Sequence, residues 1–160
     1  MNRVGTGYDA HRLETGRPLV LGGVEVPYER GLSGHSDGDC LVHALCDALL
    51  GAAALGELGA LFPSSDLRWK GASSLLFLEE ILKLLAAKGF GIVNVDTTII
   101  AEDPRLSPHL AAMRARLSKA LALPLDRVSV KAKSTDGLGA VGAREGIAAA
   151  AIALLEEVRR

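Results

Sequence analysis

The sequence predicts an α+β fold, a single domain over residues 1–160 in which a mixed β-sheet is layered against α-helices. Its 160 residues suffice for one domain with a hydrophobic core. Hydrophobic residues make up 49% of the chain and charged residues 23%, a balance typical of soluble globular proteins. Alternating, β-branched segments are interleaved with segments whose apolar residues recur at helical spacing, and this order favours a sheet packed against helices.

The first half of the chain predicts a strand over residues 3–13, a hairpin over 17–29, a helix to about residue 54, and a turn-rich connector with one short helical turn over 56–72. On the strand, Asp9 and His11 alternate onto one face. The pair Gly22-Gly23, between two β-rich runs, is typical of a hairpin turn. Ser36 or Asp37 is the expected N-terminal cap of the helix.

The second half predicts a helix over residues 73–89, a strand over 90–102, a helix over 107–123, a strand over 127–135, a glycine-rich loop over 136–146, and a closing helix over 147–160. Gly89 is placed to end the first of these helices. Ser107 is the expected cap of the second, with Pro108 at its first position. The closing segment is rich in alanine and leucine and ends in basic residues, which favours a helix.

The charge balance argues against a nucleic-acid partner. The formal net charge is −1, from 18 basic and 19 acidic residues, and no basic block stands out. The longest apolar run, from Gly146, is too short to span a membrane, and the N-terminus lacks the hydrophobic region of a signal peptide. Cys40 and Cys46 lie on one predicted helix in a poor geometry for a disulfide. We therefore predict a cytoplasmic protein with reduced thiols, in which local cations, metal ions or backbone N–H groups would hold any anionic ligand.

A metal site is the first candidate for chemistry. Asp9 and His11 share one face of their strand, and His43 lies on the helix that follows. Two nitrogens, one oxygen and an open fourth position are typical of a catalytic zinc site. The alternative is that Asp9 is a turn or capping residue and that both histidines are ordinary, partly buried side chains.

An anion site is the second candidate. His35 and Ser36 precede the first turn of the predicted helix, where free N–H groups and the helix dipole favour phosphate, although Ser36 would serve equally as a plain cap. His35, Asp39, His43 and Asp47 recur at steps of four, which places them on one helix face. The two carboxylates would either orient the His43 imidazole or form a solvated polar stripe.

The segment "KAKSTDGLG", residues 131–139, is the third candidate. It places two lysines, two hydroxyls and a carboxylate at a strand end beside glycines, a composition suited to phosphate with a divalent ion. Any exit from a strand into a loop can share this composition. The residues alone therefore indicate an α+β domain that uses a metal and acts on a phosphorylated compound.

The motifs together resemble the 2-C-methyl-D-erythritol 2,4-cyclodiphosphate synthase family of the non-mevalonate isoprenoid pathway. The resemblance covers essentially the whole chain. It rests on "GTGYDAHRL", "LGGVEVPYERGLSGHSDGDCLVHALCDALLGAAALGELGALFP", "NVDTTIIAEDPRLSPH", "VSVKAKSTDGLG" and "EGIAA".

The resemblance implies a homotrimer with three active sites between neighbouring subunits, and neither a nucleic-acid nor a membrane partner. It implies zinc, or another divalent transition metal, on Asp9, His11 and His43. A second divalent ion, Mg²⁺ or Mn²⁺, would bind Asp136, which stands where the family usually has glutamate. His35 and Ser36 match the phosphate-contacting pair, and His35 and Ser134 match the donors that assist catalysis.

The remaining matched positions would contact the substrate, as Asp9 and His11 also would. The cytidine pocket matches Ala101, Pro104, Arg105, Leu106, Ser107, Ala132, Lys133 and Ser134, next to Asp136. The region for the methylerythritol portion matches Glu57, Leu58, Gly59, Phe62, Ser64 and Asp66.

The implied reaction is the cyclisation of 4-diphosphocytidyl-2-C-methyl-D-erythritol 2-phosphate, in which the 2-phosphate attacks the β-phosphorus and CMP leaves. Two other functions fit the same residues. A zinc hydrolase of phosphorylated or nucleotide substrates would use the same three ligands with water as nucleophile. A non-catalytic trimer that only binds ligands would keep the fold and lack turnover.

Overall fold

The computed structural model describes residues 1–158 as a curled β-sheet that carries helices on one face. The strands are β1 (Asn2–Thr15), β2 (Leu19–Leu21), β3 (Val24–Val26), β4 (Arg30–Leu32), β5 (Phe90–Ile100), β6 (Val128–Lys133) and β7 (Gly146–Glu157). The helices are α1 (Cys40–Ala53), α2 (Leu58–Leu61), α3 (Ser74–Ala87), α4 (Leu110–Leu121) and α5 (Gly139–Gly142). Short 3₁₀ turns lie at Leu67–Trp69 and Leu125–Arg127.

The main sheet has five strands in the order β4-β1-β7-β5-β6. Strand β7 lies between β1 and β5 and is antiparallel to both, whereas β5 and β6 are parallel. Strands β2 and β3 form a separate antiparallel hairpin. The prediction of a mixed sheet layered against helices in one α+β domain is confirmed.

Helix α1 lies directly on β1 because β1 has no side chains at the contact. A β-carbon at Gly7 would lie 1.9 Å from the Ala44 carbonyl oxygen, and one at Gly5 would lie 2.1 Å from that of Ala48. Only glycine fits where backbones approach so closely. Gly5 and Gly7 share the face of β1 that also carries Asp9 and His11. The close approach therefore brings the first turn of α1 to these two polar side chains.

The two faces of the sheet differ in their burial. The face towards α1 supplies the buried residues Ala149, Ala151 and Ala153 of β7 to the hydrophobic core. The opposite face bears exposed apolar side chains, among them Val4, Tyr8 and Ile152, whose exposed fractions are 67%, 65% and 48%. No helix of residues 1–158 covers that face of β1.

The largest difference from the sequence-based prediction is at the C-terminus. The sequence predicts a helix over residues 147–160, and the structure instead places residues 147–157 in β7; residues 159–160 lie outside the described part. Alanine favours helices in isolation, but tertiary context overrides this preference. As the strand between β1 and β5, β7 makes backbone hydrogen bonds on both edges, and its small side chains admit α1 at close range.

The predicted helix starts were also wrong in detail. Helix α1 begins at Cys40 with Asp39 as its cap, rather than with Ser36 or Asp37. Helix α4 begins at Leu110 behind His109, so Ser107 does not cap it and Pro108 does not open it. The hairpin, α3, β5 and β6 lie where they were predicted, while β4 and α5 were not predicted.

None of the helices within residues 1–158 combines the length and the apolar composition that a membrane span requires. The longest of them, α1 and α3, have 14 residues each.

Candidate active site

Three predicted metal ligands converge where β1 meets the first turn of α1. The His11 Nε2 atom lies 2.7 Å from Asp9 Oδ2 and 3.2 Å from His43 Nδ1, and the latter lies 3.0 Å from the same carboxylate oxygen. The three ligand atoms thus point at one position. His43 is buried, and Asp9 and His11 are half-buried.

The chemistry of this donor set fits a divalent cation. The His11 Nδ1–H donates to the backbone carbonyl of Ser33, which can only accept, so a neutral His11 presents an unprotonated Nε2 to Asp9. A lone pair facing a carboxylate is repulsive unless a proton or a metal ion lies between them. A tetrahedral zinc ion with bonds of about 2.0–2.1 Å holds its ligand atoms roughly 3.3 Å apart, close to the spacing seen here.

Asp9 and His11 each stabilise the charged form of the other. Burial raises the pKa of Asp9, but hydrogen bonds to His11 and His43 outweigh burial and hold that pKa well below its usual range. The hydrogen bond to Asp9 raises the pKa of His11, against the effect of burial. The cluster therefore favours a negative carboxylate beside a positive charge, the arrangement that a bound cation also satisfies.

The cluster forms one wall of a cavity of about 400 Å³. The predicted site residues on its walls are Asp9, His11, His35, Ser36, His43, Leu58, Gly59, Phe62 and Ser64. Phe62 stacks on Phe77 with ring centroids 4.8 Å apart, and Trp69 meets both rings edge-on. An aromatic wall facing polar and metal-binding groups suits a ligand with a small carbon skeleton and anionic substituents.

Two of the predicted residues in this region do not line the cavity. Glu57 precedes α2 as its N-terminal cap residue, without a capping hydrogen bond from its side chain. The Asp66 carboxylate is held by the Arg68 guanidinium, with Arg68 Nη2 2.6 Å from Asp66 Oδ2. The backbone carbonyl of Asp66 lies 3.2 Å from Nε2 of His35, so Asp66 meets the site through its main chain.

A second cleft, of about 240 Å³, lies at the ends of β5 and β6. It is lined by all eight residues predicted for the cytidine pocket and by Glu102, which lies within the matched segment 101–107 but was not singled out: Ala101, Glu102, Pro104, Arg105, Leu106, Ser107, Ala132, Lys133 and Ser134. The cleft shares no lining residue with the cavity at Asp9. Within one chain the two depressions are therefore separate.

Asp136 lies beyond this cleft, on a loop that Glu102 holds in place. A single carboxylate oxygen of Glu102 accepts hydrogen bonds from the backbone N–H and the hydroxyl of Thr135, at 2.7 and 3.0 Å. Asp136 itself is exposed and has a left-handed backbone, with φ of 52°. Its carboxylate accepts a hydrogen bond of 3.2 Å from Ser134.

Comparison with known proteins identifies the family of this chain. The sequence model of the YgbB family matches residues 2–156. The chain belongs to the YgbB family. The curated 2-C-methyl-D-erythritol 2,4-cyclodiphosphate synthase of Syntrophomonas wolfei is 54% identical over 155 residues, which cover 97% of this chain and 99% of that relative. The resemblance seen in the motifs is thereby confirmed.

Solved structures of the YgbB family share the whole fold. A 2C-methyl-D-erythritol-2,4-cyclodiphosphate synthase in a CDP-bound form is 42% identical, with a TM-score of 0.89, and the match covers 96% of this chain and 100% of that one. The bifunctional IspDF of Campylobacter jejuni is 38% identical with a TM-score of 0.94. That match covers 98% of this chain but only 42% of the longer bifunctional chain.

In this YgbB-family protein the carboxylates of Asp39 and Asp47, which were predicted to orient His43 or to form a polar stripe, bind backbone N–H groups. Asp39 accepts hydrogen bonds from the backbone N–H groups of Gly22, Gly23 and Val42. Asp47 accepts one of 2.7 Å from the backbone N–H of Leu58. Neither forms a hydrogen bond with His43, so the two carboxylates at this spacing bind backbone N–H groups rather than support the imidazole.

The hydrogen bonds on the outer side of His43 were not predicted, although one of the two residues, Ser36, was predicted to contact phosphate. The His43 Nε2 atom lies 2.8 Å from the hydroxyl of Ser74 and 3.1 Å from that of Ser36. Ser74 begins α3, more than thirty residues after His43, and its hydroxyl donates to Asp37. No spacing within a single element could reveal this contact, because it joins two segments that meet only in the fold.

Proposed function

We propose that this protein is a 2-C-methyl-D-erythritol 2,4-cyclodiphosphate synthase that converts 4-diphosphocytidyl-2-C-methyl-D-erythritol 2-phosphate to 2-C-methyl-D-erythritol 2,4-cyclodiphosphate and CMP. The observation that carries the proposal is the convergence of Asp9, His11 and His43 on a cavity that also presents His35 and Ser36. Relatives with this name at 54% identity over nearly the full length support the same reaction.

The reaction is an exchange of phosphorus–oxygen bonds. An oxygen of the 2-phosphate bonds to the β-phosphorus, and the bond from that phosphorus to the oxygen shared with the α-phosphate breaks. CMP leaves with this oxygen and its electron pair. Because the nucleophile is already an anion, the protein needs no strong base. Its work is to hold two anionic phosphates together and to stabilise the charge that moves onto CMP.

Two divalent ions belong to the proposal. Zinc, or another divalent transition metal, at Asp9, His11 and His43, and Mg²⁺ or Mn²⁺ at Asp136, would supply positive charge and orient phosphate oxygens when bound. Aspartate is shorter than the glutamate usual in the family at position 136, but its exposed loop position leaves the carboxylate accessible to an ion.

His35 and Ser36 bind phosphate at the mouth of the cavity. The His35 Nε2–H donates to the Asp66 carbonyl, which fixes the ring and leaves Nδ1 for the ligand. As an imidazolium, His35 donates from Nδ1 to a phosphate oxygen, so it can stabilise the developing negative charge. Ser134 and Lys133 supply a hydroxyl and a cation in the second cleft, on the side of the departing nucleotide.

Each substrate portion has its own depression. The methylerythritol portion lies against Leu58, Gly59 and Phe62, near Ser64, with Glu57 and Asp66 in the surrounding segment. The cytidine portion occupies the cleft of Ala101, Pro104, Arg105, Leu106, Ser107 and Ala132. We assign both depressions to one active site formed between neighbouring subunits of a homotrimer. The separation of the two within one chain and the uncovered, partly apolar sheet face support this assembly.

We place the enzyme in the cytoplasm, in keeping with the free, buried thiols of Cys40 and Cys46.

The test is an incubation with the cytidyl-diphosphate substrate and Mg²⁺, followed by phosphorus NMR. Native protein is compared with a sample stripped by a chelator. Equal amounts of CMP and a cyclic diphosphate, lost on stripping and restored by divalent metal, are expected. CMP with methylerythritol carrying two separate phosphate monoesters, the product of water attack at the β-phosphorus, would instead indicate a hydrolase. No turnover in metal-loaded protein would indicate a protein that only binds the ligand.

A further inference from the structure

The outer side of the His43 imidazole is held by a directed chain of two polar groups, the buried Ser74 and the half-buried Asp37. The His43 Nε2 atom lies 2.8 Å from the hydroxyl oxygen of Ser74, a fully buried residue. That hydroxyl contacts Oδ1 of Asp37, and the backbone N–H of Ser74 donates to Oδ2 of the same carboxylate at 2.9 Å. The first residue of α3 is thereby locked against the loop that precedes α1.

The direction of each hydrogen bond follows from the last member of the chain. An ionised carboxylate can only accept hydrogen bonds, so the Ser74 hydroxyl donates its one proton to the hydrogen bond with Asp37. Its oxygen then offers His43 only lone pairs. A neutral His43 that is hydrogen-bonded to Ser74 therefore donates from Nε2 and leaves Nδ1 unprotonated. Nδ1 is the atom that faces Asp9 and His11.

We propose that Ser74 and Asp37 are positioning residues for the metal site, which act by fixing the tautomer and the ring orientation of His43. The inference rests on the metal site of the proposed function and adds two residues to it. Partners of this kind behind a metal-bound histidine typically change metal affinity by about 10–100-fold when they are removed.

The two histidines of the site are set in opposite tautomers by different means. His11 keeps its proton on Nδ1 because the carbonyl of Ser33 accepts it, and so presents Nε2. His43 keeps its proton on Nε2 because of Ser74, and so presents Nδ1. Ser36 lies 3.1 Å from the same Nε2 atom but also lines the cavity. Because Ser74 accepts the hydrogen bond from the Nε2–H of His43, the Ser36 hydroxyl stays available to a phosphate.

Adjacent serines provide a matched pair of variants. Ser74→Ala removes the acceptor for His43. Ser73→Ala removes only the exposed cap of α3, whose side chain accepts a weak bond of 3.4 Å from the N–H of Leu75. Zinc affinity of the full chain is measured by competition with a chromophoric chelator. Ser74→Ala is expected to weaken zinc binding by about 10–100-fold. Ser73→Ala is expected to change it less than about twofold, because no partner of a metal ligand is lost.

A histidine ¹⁵N NMR spectrum of the zinc-loaded wild type tests the tautomer without any variant. The His43 signal, assigned by its loss in His43→Ala, is expected to show the proton on Nε2. A proton on Nδ1, or equal zinc affinity of Ser74→Ala and Ser73→Ala, would overturn the role of Ser74. If His43→Ala itself keeps wild-type zinc affinity, the proposed metal site is wrong, which is a separate failure.

Discussion

Asp39 is a buried carboxylate that joins the β2–β3 turn to the start of α1, and no ion pair to it is seen within residues 1–158. It caps α1 through the N–H of Val42 and accepts from both glycines of the β2–β3 turn, Gly22 and Gly23. Burial raises the pKa of Asp39 to about 6, although these N–H groups oppose the shift. The native state therefore binds a proton at Asp39 more tightly than the unfolded chain does.

This raised pKa has a predictable effect on stability. Between about pH 4 and pH 6 the native state holds more protons at Asp39 than the unfolded state, so this group lowers the free energy of unfolding as the pH rises. Asp39→Asn does not titrate. We expect the unfolding free energy of the wild type, relative to Asp39→Asn, to fall across this range in urea titrations. A relative stability that rises with pH would show that the N–H groups outweigh burial.

Asp136 is the proposed ligand of the second divalent ion. Asp136→Asn removes the charge and keeps a side chain that tolerates the left-handed backbone, with φ of 52°. Losing one anionic ligand of a hard cation is expected to raise the Mg²⁺ concentration for half-maximal turnover about tenfold, a shift of about 1.4 kcal/mol. Zinc content, measured by elemental analysis, should not change. An unaltered Mg²⁺ titration would remove Asp136 from the second ion.

Residue types and short spacings predicted the convergence of Asp9, His11 and His43, but not the side chains that contact the far side of His43. Asp9 and His11 lie two apart on a strand, so their convergence follows from the strand period. His43 required only that α1 cover that strand. Ser74 and Asp37 meet through the packing of α3 on the loop before α1, for which the sequence holds no periodic signal. The four-residue spacing of Asp39 and Asp47 suggested that they orient the His43 imidazole, but their carboxylates accept hydrogen bonds from backbone N–H groups instead.

At the scale of elements, the contact between α1 and β1 sets the geometry of the Asp9, His11 and His43 cluster. Gly7→Ala would place a β-carbon 1.9 Å from the Ala44 carbonyl oxygen, so the helix must move away from the strand. His43 immediately precedes Ala44 and would move with it. We expect a loss of about 1–3 kcal/mol or more in the free energy of unfolding, together with weaker zinc binding.

Gly51→Ala is the control for this contact. Gly51 lies on the same helix, and the nearest atom to an added β-carbon is the Thr6 carbonyl oxygen at 3.9 Å, an ordinary contact. Alanine favours helix over glycine by about 1 kcal/mol, so this variant should be unchanged or more stable, with normal zinc affinity. Equal behaviour of the two variants in urea unfolding and zinc titration would contradict the close-contact explanation.

The same contact explains why β7 escaped prediction as a strand. Its alanines are needed where α1 lies close to the sheet, and a run of alanines reads as helix when only local preference is considered. The less buried face of β7 is also apolar, with Ala150, Ile152 and Leu154, so its sequence lacks the apolar–polar alternation that identifies a half-exposed strand. By contrast, β5 carries Val, Thr and Ile, whose branched side chains predict a strand by themselves.

At the scale of the molecule, the arrangement of surfaces argues for assembly. Val4, Tyr8 and Ile152 project from a sheet face that α1 does not cover. The cavity at Asp9, His11 and His43 and the cleft at the ends of β5 and β6 share no lining residue, yet the proposed substrate must touch both. A ring of three subunits in which each cavity meets a neighbour's cleft satisfies both observations, because a heterologous contact repeated around a threefold axis closes.

If each active site is formed between two neighbouring subunits, two inactive variants should restore activity when they are mixed. His43→Ala loses the metal side of each site and Ser134→Ala the nucleotide side. Trimers assembled at random from equal amounts contain sites that pair the intact cavity of one variant with the intact cleft of the other. With sites between neighbours, about a quarter of all sites are intact, so turnover should recover to about a quarter of the wild-type rate. The two variants are refolded together and assayed against each one alone. If every site were built within one subunit, mixing would restore nothing, because no chain in the mixture carries both sides.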